Sequence, residues 1–243
     1  MGRIAAFTYG LVCYAIFFAT FLYAIGFVGN IFVPKSIDAA PTLPFWQALG
    51  INLLLLTIFA VQHSVMARQG FKRIWTRIVP VAVERSTYVL FSSLALILLF
   101  AFWQPLGGVI WQVENAAGAA ALMALCAAGW LLVLVSTYLI NHFDLFGLRQ
   151  VWLYLRGIEY TPVKLATPWA YKQVRHPLYL GFMVAFWATP TMTAAHLLFA
   201  LMTTGYILVA IQLEERDLIA EHGDGYRDYR KEVGMLIPRL ARR

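Results

Sequence analysis

Five apolar runs divide the chain, and each of them is free of Asp, Glu, Lys and Arg. They cover residues 4–33, 45–62, 86–113, 115–141 and 177–213. Because about 20 apolar residues span a bilayer as a helix, each of the first four runs predicts one crossing. The fifth run is long enough for two short crossings, and Thr189-Pro190-Thr191 in its middle predicts a turn. We therefore expect an all-α fold, a polytopic integral membrane helix bundle with six crossings, or five if the last element is broken.

The composition supports a membrane location. Of the 243 residues, 61% are hydrophobic and 13% are charged, which leaves too little polar surface to cover the core of a water-soluble domain. Cys13 and Cys126 both fall inside predicted crossings, so they are interpreted as small buried residues, and neither a disulfide nor a metal site is expected.

The basic residues predict the orientation of the chain. Of 19 Lys and Arg, five lie in residues 67–85, five in residues 141–176 and seven in residues 214–243, whereas Lys35 lies on the opposite side. Basic loops stay in the cytoplasm, so both termini are expected there. The net charge of +7 is ascribed to this topology and to attraction to anionic lipid, and nucleic acid is not expected as a partner. The sequence does not predict an oligomeric state.

Polar residues concentrate after residue 140, which suggests a division of labour along the chain. Residues 1–140 are expected to form N-terminal transmembrane helices. Residues 141–243 are expected to form the functional core, with a cytoplasmic loop, a helical hairpin and a C-terminal tail. In this tail, Tyr226 and Tyr229 are spaced to share one face of a short helix that follows Gly223.

The densest polar cluster flanks the last apolar run. Arg175-His176-Pro177-Leu178-Tyr179-Leu180-Gly181 enters this run, and Glu214-Glu215 leaves it. A hairpin brings its two ends together, so these groups could hold a small zwitterionic or cationic ligand at the membrane surface. The alternative for each residue is structural: Arg175 as a positive-inside anchor, the glutamates as a solvated helix end, and the tyrosines as an interfacial belt.

Taken together, the Arg-His-Pro-x-Tyr-x-Gly, Glu-Glu and Gly-x-x-Tyr-x-x-Tyr motifs resemble the membrane methyltransferases of the isoprenylcysteine carboxyl methyltransferase and phospholipid methyltransferase superfamily. Upstream segments are similar to the bacterial methanethiol S-methyltransferases, relatives of the NnrU-type proteins; these segments are Gln62–Arg68, Glu84–Tyr88 and Asn141–Leu148. The resemblance implies methylation of methanethiol to dimethyl sulfide at a bacterial inner membrane, with S-adenosylmethionine as the donor. The residues that it assigns to the cofactor are Arg175, His176, Tyr179, Leu180, Gly181, Glu214, Glu215, Tyr226 and Tyr229.

The implied reaction needs a thiolate acceptor held in line with the donor, and it requires no metal. Free thiols have a pKa of about 8.5 or above, so a nearby base helps. His142 and Asp144 follow the fourth run and His63 ends the second, so these three are the catalytic candidates, as base and orienter. The alternative is that His63 caps a helix end and Asp144 bonds Arg149 or the backbone.

Asn141, Phe143 and Phe146 lie in the same segment as His142 and are assigned to the acceptor thiol. Two other functions stay open on the sequence alone. The same fold can methylate a lipid amine or an isoprenylcysteine carboxylate, which needs a wide lateral opening, whereas methanethiol needs only a narrow apolar pocket. A haem-binding or transport protein would use intramembrane histidines as ligands or relay groups, but His63, His142 and His176 are expected at one surface.

Overall fold

The computed structural model describes residues 1–163 and 167–239, and most of these residues are helical. In chain order the helices are α1 (Arg3–Gly29), α2 (Phe45–Ala67), α3 (Gln69–Trp75), α4 (Val81–Phe102), α5 (Ala116–Ile140), α6 (His142–Leu145), α7 (Leu148–Arg156), α8 (Trp169–Gln173), α9 (Pro177–Trp187), α10 (Ala194–His222) and α11 (Asp224–Glu232). Two short strands, β1 (Val109–Gln112) and β2 (Thr191–Thr193), pair with each other.

Within the described residues, five helices are long and apolar enough to cross a membrane: α1, α2, α4, α5 and α10. The prediction of a multi-pass, essentially all-α membrane protein is thereby confirmed. The last apolar run is divided unequally, because α9 has only 11 residues. At 1.5 Å per residue α9 is about 16 Å long, roughly half of the 30 Å apolar core of a bilayer. The structure therefore matches the expected count of five crossings with a broken last element.

The break after α9 follows from Pro190. A proline disfavours helical backbone at the residue before it and donates no hydrogen bond, and α9 ends at Trp187. The carbonyl groups after α9 find partners in the segment before α5: Val113 N donates to Pro190 O at 2.9 Å and Trp111 Nε1 donates to Thr189 O at 3.2 Å. The strand pair was not predicted from the sequence.

The chain forms two compact units. The first comprises Met1–Val109, Asn141–Val163 and Thr193–His196, and in it α4 packs against both α1 and α2 while α7 packs against α1. The turn before α7 depends on Gly147, which has φ +85°. A Cβ there would lie 2.7 Å from Ser86 N, so both the backbone conformation and the close approach of α4 require glycine.

The second unit contains Ile110–Ile140 with the described parts of Lys164–Met192 and Leu197–Arg243. Its main helix contact joins α5 to α9 through facing glycines. A Cβ on Gly129 would lie 2.8 Å from Gly181 O, and a Cβ on Gly181 would lie 2.7 Å from Gly129 O. Small residues let helix backbones approach closely in membranes, where packing rather than water exclusion holds helices together. The expected division at residue 140 is a functional one and stays a prediction.

Replacing Gly181 by Ala should destabilise the fold, because the added Cβ would press on the backbone of α5. Overpacking of this kind costs about 1–3 kcal/mol, and we expect a lower unfolding temperature for the purified protein in detergent. Gly205→Ala in α10 is the matched control, since a Cβ there meets nothing within 4 Å and alanine favours helix. Equal unfolding temperatures for the two variants would contradict the close contact of α5 with α9.

Candidate functional site

Glu215, near the end of α10, is the centre of a buried cluster in the second unit. Its side chain is only about 3% exposed. Arg175 Nε donates to Glu215 Oε1 at 2.7 Å, and His176 Nε2 lies 3.0 Å from the same oxygen. Arg230 Nε lies 3.1 Å from Oε2. A buried carboxylate is tolerated only with such partners, so Glu215 links the start of α9 and the tail helix α11 to α10.

Backbone contacts hold the tail in place around Arg175. Val174 forms an isolated parallel bridge with Gly234, and Arg175 N donates to Gly234 O at 2.8 Å. The Arg175 guanidinium also reaches the tail, because Nη1 donates to Val233 O at 2.5 Å. The residues after α11 are therefore fixed against the segment that begins α9. The N–H groups of the Arg175 guanidinium thus donate to Glu215 and to carbonyl groups of the tail.

Glu214 has a different environment from its neighbour. It is partly exposed, and its Oε2 accepts a hydrogen bond from Tyr179 at 2.7 Å. Tyr171 in α8 is 9% exposed, and its hydroxyl has no hydrogen-bond partner among the described residues. Burial raises the pKa of Tyr171, and the negative charge of Glu214 raises it further, so the hydroxyl stays protonated. A buried hydroxyl without a partner is costly, which makes Tyr171 a candidate donor to a ligand.

Tyr226 and Tyr229 share one face of α11, as the spacing predicts. Their ring centroids lie 5.7 Å apart, and Tyr226 is buried. The Tyr229 hydroxyl donates to Tyr171 O at 2.5 Å. Burial raises the pKa of Tyr229 to about 12, although the charge of Arg175 acts in the opposite direction. These hydroxyl groups are therefore neutral donors at physiological pH.

The structure thus brings the two ends of the last apolar run together, with Arg175 and His176 on Glu215 and Tyr179 on Glu214. Gly181 faces α5, where the backbone of Gly129 approaches it closely. Leu180 lies one turn into α9 and is partly exposed. The roles of all these residues in cofactor binding stay predictions.

Sequence reasoning missed two residues of this cluster. Tyr171 lies four residues before Arg175 in a short helix that Thr167-Pro168 introduces, and an aromatic residue at that spacing was an available signal. Arg230 follows Tyr229 directly in the tail, but its contact with Glu215 depends on how the tail folds back. No local pattern distinguishes Arg230 from the other tail cations.

The second group of predicted site residues lies in the first unit, around His142. This residue is 3% exposed, and its Nε2 lies 2.8 Å from the hydroxyl of Tyr14 in α1. The rings of Phe143 and Phe146 meet the imidazole edge-on. Burial lowers the pKa of His142, so the neutral imidazole is favoured near pH 7. A neutral, desolvated imidazole is the form that a general base requires.

Asp144 does not pair with His142 in the way that the sequence suggested. Its backbone N–H is capped by the Asn141 side chain at 3.1 Å, and its carboxylate binds Arg149 Nη1 at 2.8 Å. Tyr160 donates to the other carboxylate oxygen at 3.3 Å. The structure contradicts the expected pairing of His142 with Asp144 as base and orienter, because His142 bonds Tyr14 and Asp144 bonds Arg149. The structural alternative for Asp144 is the one observed.

His63 is also bonded within the first unit. Its Nδ1 lies 3.0 Å from Ser92 Oγ, and its Nε2 lies 2.9 Å from the Tyr88 hydroxyl. The ring of Phe146 stacks on Phe17 with centroids 3.8 Å apart, whereas Phe143 is half exposed. Phe17 and Phe146 pack against the cluster that contains Tyr88, so apolar and aromatic groups adjoin the histidines of this unit.

Tyr14 was missed by sequence reasoning. It is a polar residue within the first apolar run, and a hydroxyl at membrane depth must find a partner, which was the available signal. The partner itself, 128 residues later in the chain, could be identified only from the structure.

The fold and these two groups define a multi-pass helical membrane protein with a charged, hydrogen-bonded site beside its last long helix. Comparison with known proteins identifies the class of this protein more closely. The chain is 58% identical to a methanethiol S-methyltransferase of Mycobacterium tuberculosis over 98% of both chains. It is 56% identical to one of Crocosphaera subtropica over 100% of this chain and 95% of the relative. The chain belongs to the methanethiol S-methyltransferase family and is a membrane methyltransferase.

A more distant relative is Nurim of Rattus norvegicus, which is 33% identical over 70% of this chain and 68% of its own length. No protein-family model matches the chain, and no solved structure matches it. The relatives therefore identify the enzyme class, while the roles of individual residues depend on the geometry described above.

Replacing Glu215 by Gln should strongly destabilise the protein, because the buried guanidinium of Arg175 loses its counter-charge. Breaking a buried ion pair costs about 3–5 kcal/mol, and the unfolding temperature in detergent should fall accordingly. The matched control is Glu214→Gln, the adjacent and partly exposed residue, for which we expect a change below about 1 kcal/mol. Similar losses in both variants would mean that Glu215 is not the structural centre of the cluster.

Proposed function

We propose that this protein methylates methanethiol to dimethyl sulfide, with S-adenosylmethionine as the methyl donor. The observation that carries the proposal is the 56–58% identity, over nearly the whole chain, to relatives named methanethiol S-methyltransferase. A methyltransferase needs a methyl donor, and bound S-adenosylmethionine would supply a methyl group activated by a sulfonium.

The donor is assigned to the cluster around Glu214 in the second unit, and the chemistry of the residues fits. S-Adenosylmethionine carries an ammonium, a sulfonium and ribose hydroxyls, all of which suit carboxylate oxygens. Glu214 is the carboxylate with accepting capacity left, since Glu215 uses both oxygens on Arg175, His176 and Arg230. The unpartnered Tyr171 hydroxyl supplies a donor for a carboxylate or a ring nitrogen. Glu215, Arg175 and His176 then act by holding this arrangement together.

The acceptor is assigned to the group around His142 in the first unit. His142 takes the proton of the thiol. Because burial lowers the pKa of His142, its imidazole is neutral and can accept this proton. Tyr14 fixes the ring through Nε2. The aromatic rings of Phe146 and Phe17 offer an apolar surface that suits a small alkyl thiol. His63 is held by Ser92 and Tyr88 and supports this packing.

We also infer that the donor cluster faces the cytoplasm of a bacterial inner membrane. In the second unit, the turn that follows α9 is hydrogen-bonded to the segment that precedes α5. The first residues of α9 therefore lie on the same side of the membrane as the last residues of α5. The chain after α5 carries Arg149, Arg156, Lys172 and Arg175, and basic segments stay inside.

The direct test is an assay of purified protein in lipid nanodiscs with S-adenosylmethionine and a panel of acceptors. We expect dimethyl sulfide from methanethiol, detected by gas chromatography, because the aromatic rings around His142 suit a small apolar thiol. Longer alkyl thiols, phospholipid amines and isoprenylcysteine are the comparison acceptors. Methylation of lipid alone would show that the acceptor assignment is wrong while leaving the enzyme class intact.

Variants should separate donor binding from acceptor activation. Glu214→Gln removes a charged acceptor and should raise the Kd for S-adenosylmethionine about tenfold or more, and Tyr171→Phe should raise it about three- to tenfold. His142→Asn should leave this Kd unchanged and lower kcat by about 100-fold, the contribution of a general base. Calorimetry and initial rates measure the two effects.

The pattern of results tests each assignment. An unchanged Kd in folded Glu214→Gln would show that the donor does not bind at this cluster. An unchanged kcat in His142→Asn would show that His142 does not take part in the reaction. Tyr14→Phe is a further control, because it keeps the ring packing of α1 and removes only the hydroxyl that bonds His142.

A further inference from the structure

An open cavity of about 410 Å³ on the surface of the tail is lined by cations. Among the described residues, its lining consists of Arg227, Arg230, Lys231 and Arg239. All belong to the second unit, and three of them lie on α11. No residue of the donor cluster other than Arg230 contributes to this wall. The cavity therefore adjoins the donor cluster at Arg230, and its remaining lining residues lie outside that cluster.

The charges of α11 are segregated around the helix. At about 100° per residue, Arg227, Arg230 and Lys231 fall on one side of α11. The carboxylates Asp224, Asp228 and Glu232 fall together on the adjacent side, and none of them lines the cavity. Asp224 and Asp228 do pair with cavity cations, at 2.6 Å with Arg227 and 2.8 Å with Lys231, but all four side chains are exposed. Such exposed ion pairs contribute little to stability, so a more strongly bound anion can replace the carboxylates of Asp224 and Asp228.

One wall of the cavity is already fixed. Arg230 Nε is directed to the buried carboxylate of Glu215 at 3.1 Å, so the guanidinium is held in place. Its remaining N–H groups can bind an anion, and an arginine fork suits phosphate oxygens. A preorganised wall of this kind lowers the entropic cost of binding an anion.

The cavity is unsuited to the methyl donor. S-Adenosylmethionine has one net positive charge at neutral pH, from its sulfonium, ammonium and carboxylate, and four cations repel it. Close to the cavity in the chain, Ile237 is 79% exposed. An exposed isoleucine in a basic stretch of chain, two residues before Arg239, is typical of a segment that meets the boundary between lipid headgroups and acyl chains.

We propose that this cavity binds the phosphate of an anionic phospholipid headgroup from the leaflet on the basic side of the membrane. The cations hold the phosphate, and Ile237 meets the apolar part of the same lipid. The site docks the tail, and thereby α11, onto the membrane surface. It is independent of which thiol or lipid is methylated.

The test is native mass spectrometry of the full-length protein in detergent, titrated with phosphatidylglycerol or phosphatidylcholine. We expect phosphatidylglycerol to bind more tightly. In the Arg227→Gln/Lys231→Gln variant its Kd should rise by about fivefold for each charge removed. Both substituted residues lie outside the donor cluster. The matched control is Arg73→Gln/Arg77→Gln, which removes two exposed cations from the connection after α2 and should leave the Kd unchanged.

Equal binding of the two lipids, or an equal loss of binding in both double variants, would overturn the proposal. Displacement of phosphatidylglycerol by inorganic phosphate at similar concentrations would also overturn it, because the site would then select free phosphate. A third variant, Ile237→Ser, should weaken binding of phosphatidylglycerol but not of inorganic phosphate. These readouts do not involve methyl transfer, so their failure is distinguishable from a failure of the proposed function.

Discussion

The ion pairs of the buried Glu215 carboxylate are the interaction on which the second unit of the protein depends. A carboxylate at the end of a long membrane helix must be neutralised where water is scarce, and Glu215 achieves this with Arg175, His176 and Arg230. These partners come from the start of α9 and from the tail. One ionised group therefore joins three elements, and Arg175 extends the connection to the backbone after α11.

The two adjacent glutamates illustrate how helix geometry separates structure from function. Successive residues of a helix point about 100° apart, so Glu215 points into the cluster while Glu214 reaches Tyr179 on a more exposed side. The structural carboxylate has both oxygens engaged, and its neighbour retains capacity for a ligand. A motif of two glutamates in sequence thus supplies one charge that stabilises the site and a second one that is left to bind the proposed donor.

The features that could be predicted from the sequence are those that depend on local pattern and on burial in lipid. Charge-free runs predicted the crossings, and the Pro190 segment predicted a break, because both follow from one stretch of chain and its burial in lipid. The contact of Arg175 with Glu215 followed from folding a hairpin. Contacts between distant segments were not accessible: Tyr14 with His142, Arg230 with Glu215, and Gly129 with Gly181 each depend on which helices are neighbours. The pairing of His142 with Asp144 was wrong because Arg149, five residues after Asp144, competes successfully for its carboxylate.

The two units offer electrostatic environments that match the two proposed reactants. The donor is cationic, and the cluster of the second unit presents carboxylates with neutral tyrosines whose pKa values are raised by burial. The acceptor is a small apolar thiol, and the group in the first unit presents aromatic rings with a neutral imidazole. Transfer of a methyl group from a sulfonium to a thiolate removes charge from both partners, so exclusion of water favours the reaction. A membrane enzyme is well suited to such chemistry, because the surrounding lipid excludes water. Hydrogen bonds meanwhile hold polar groups such as Glu214 and His142 at defined positions.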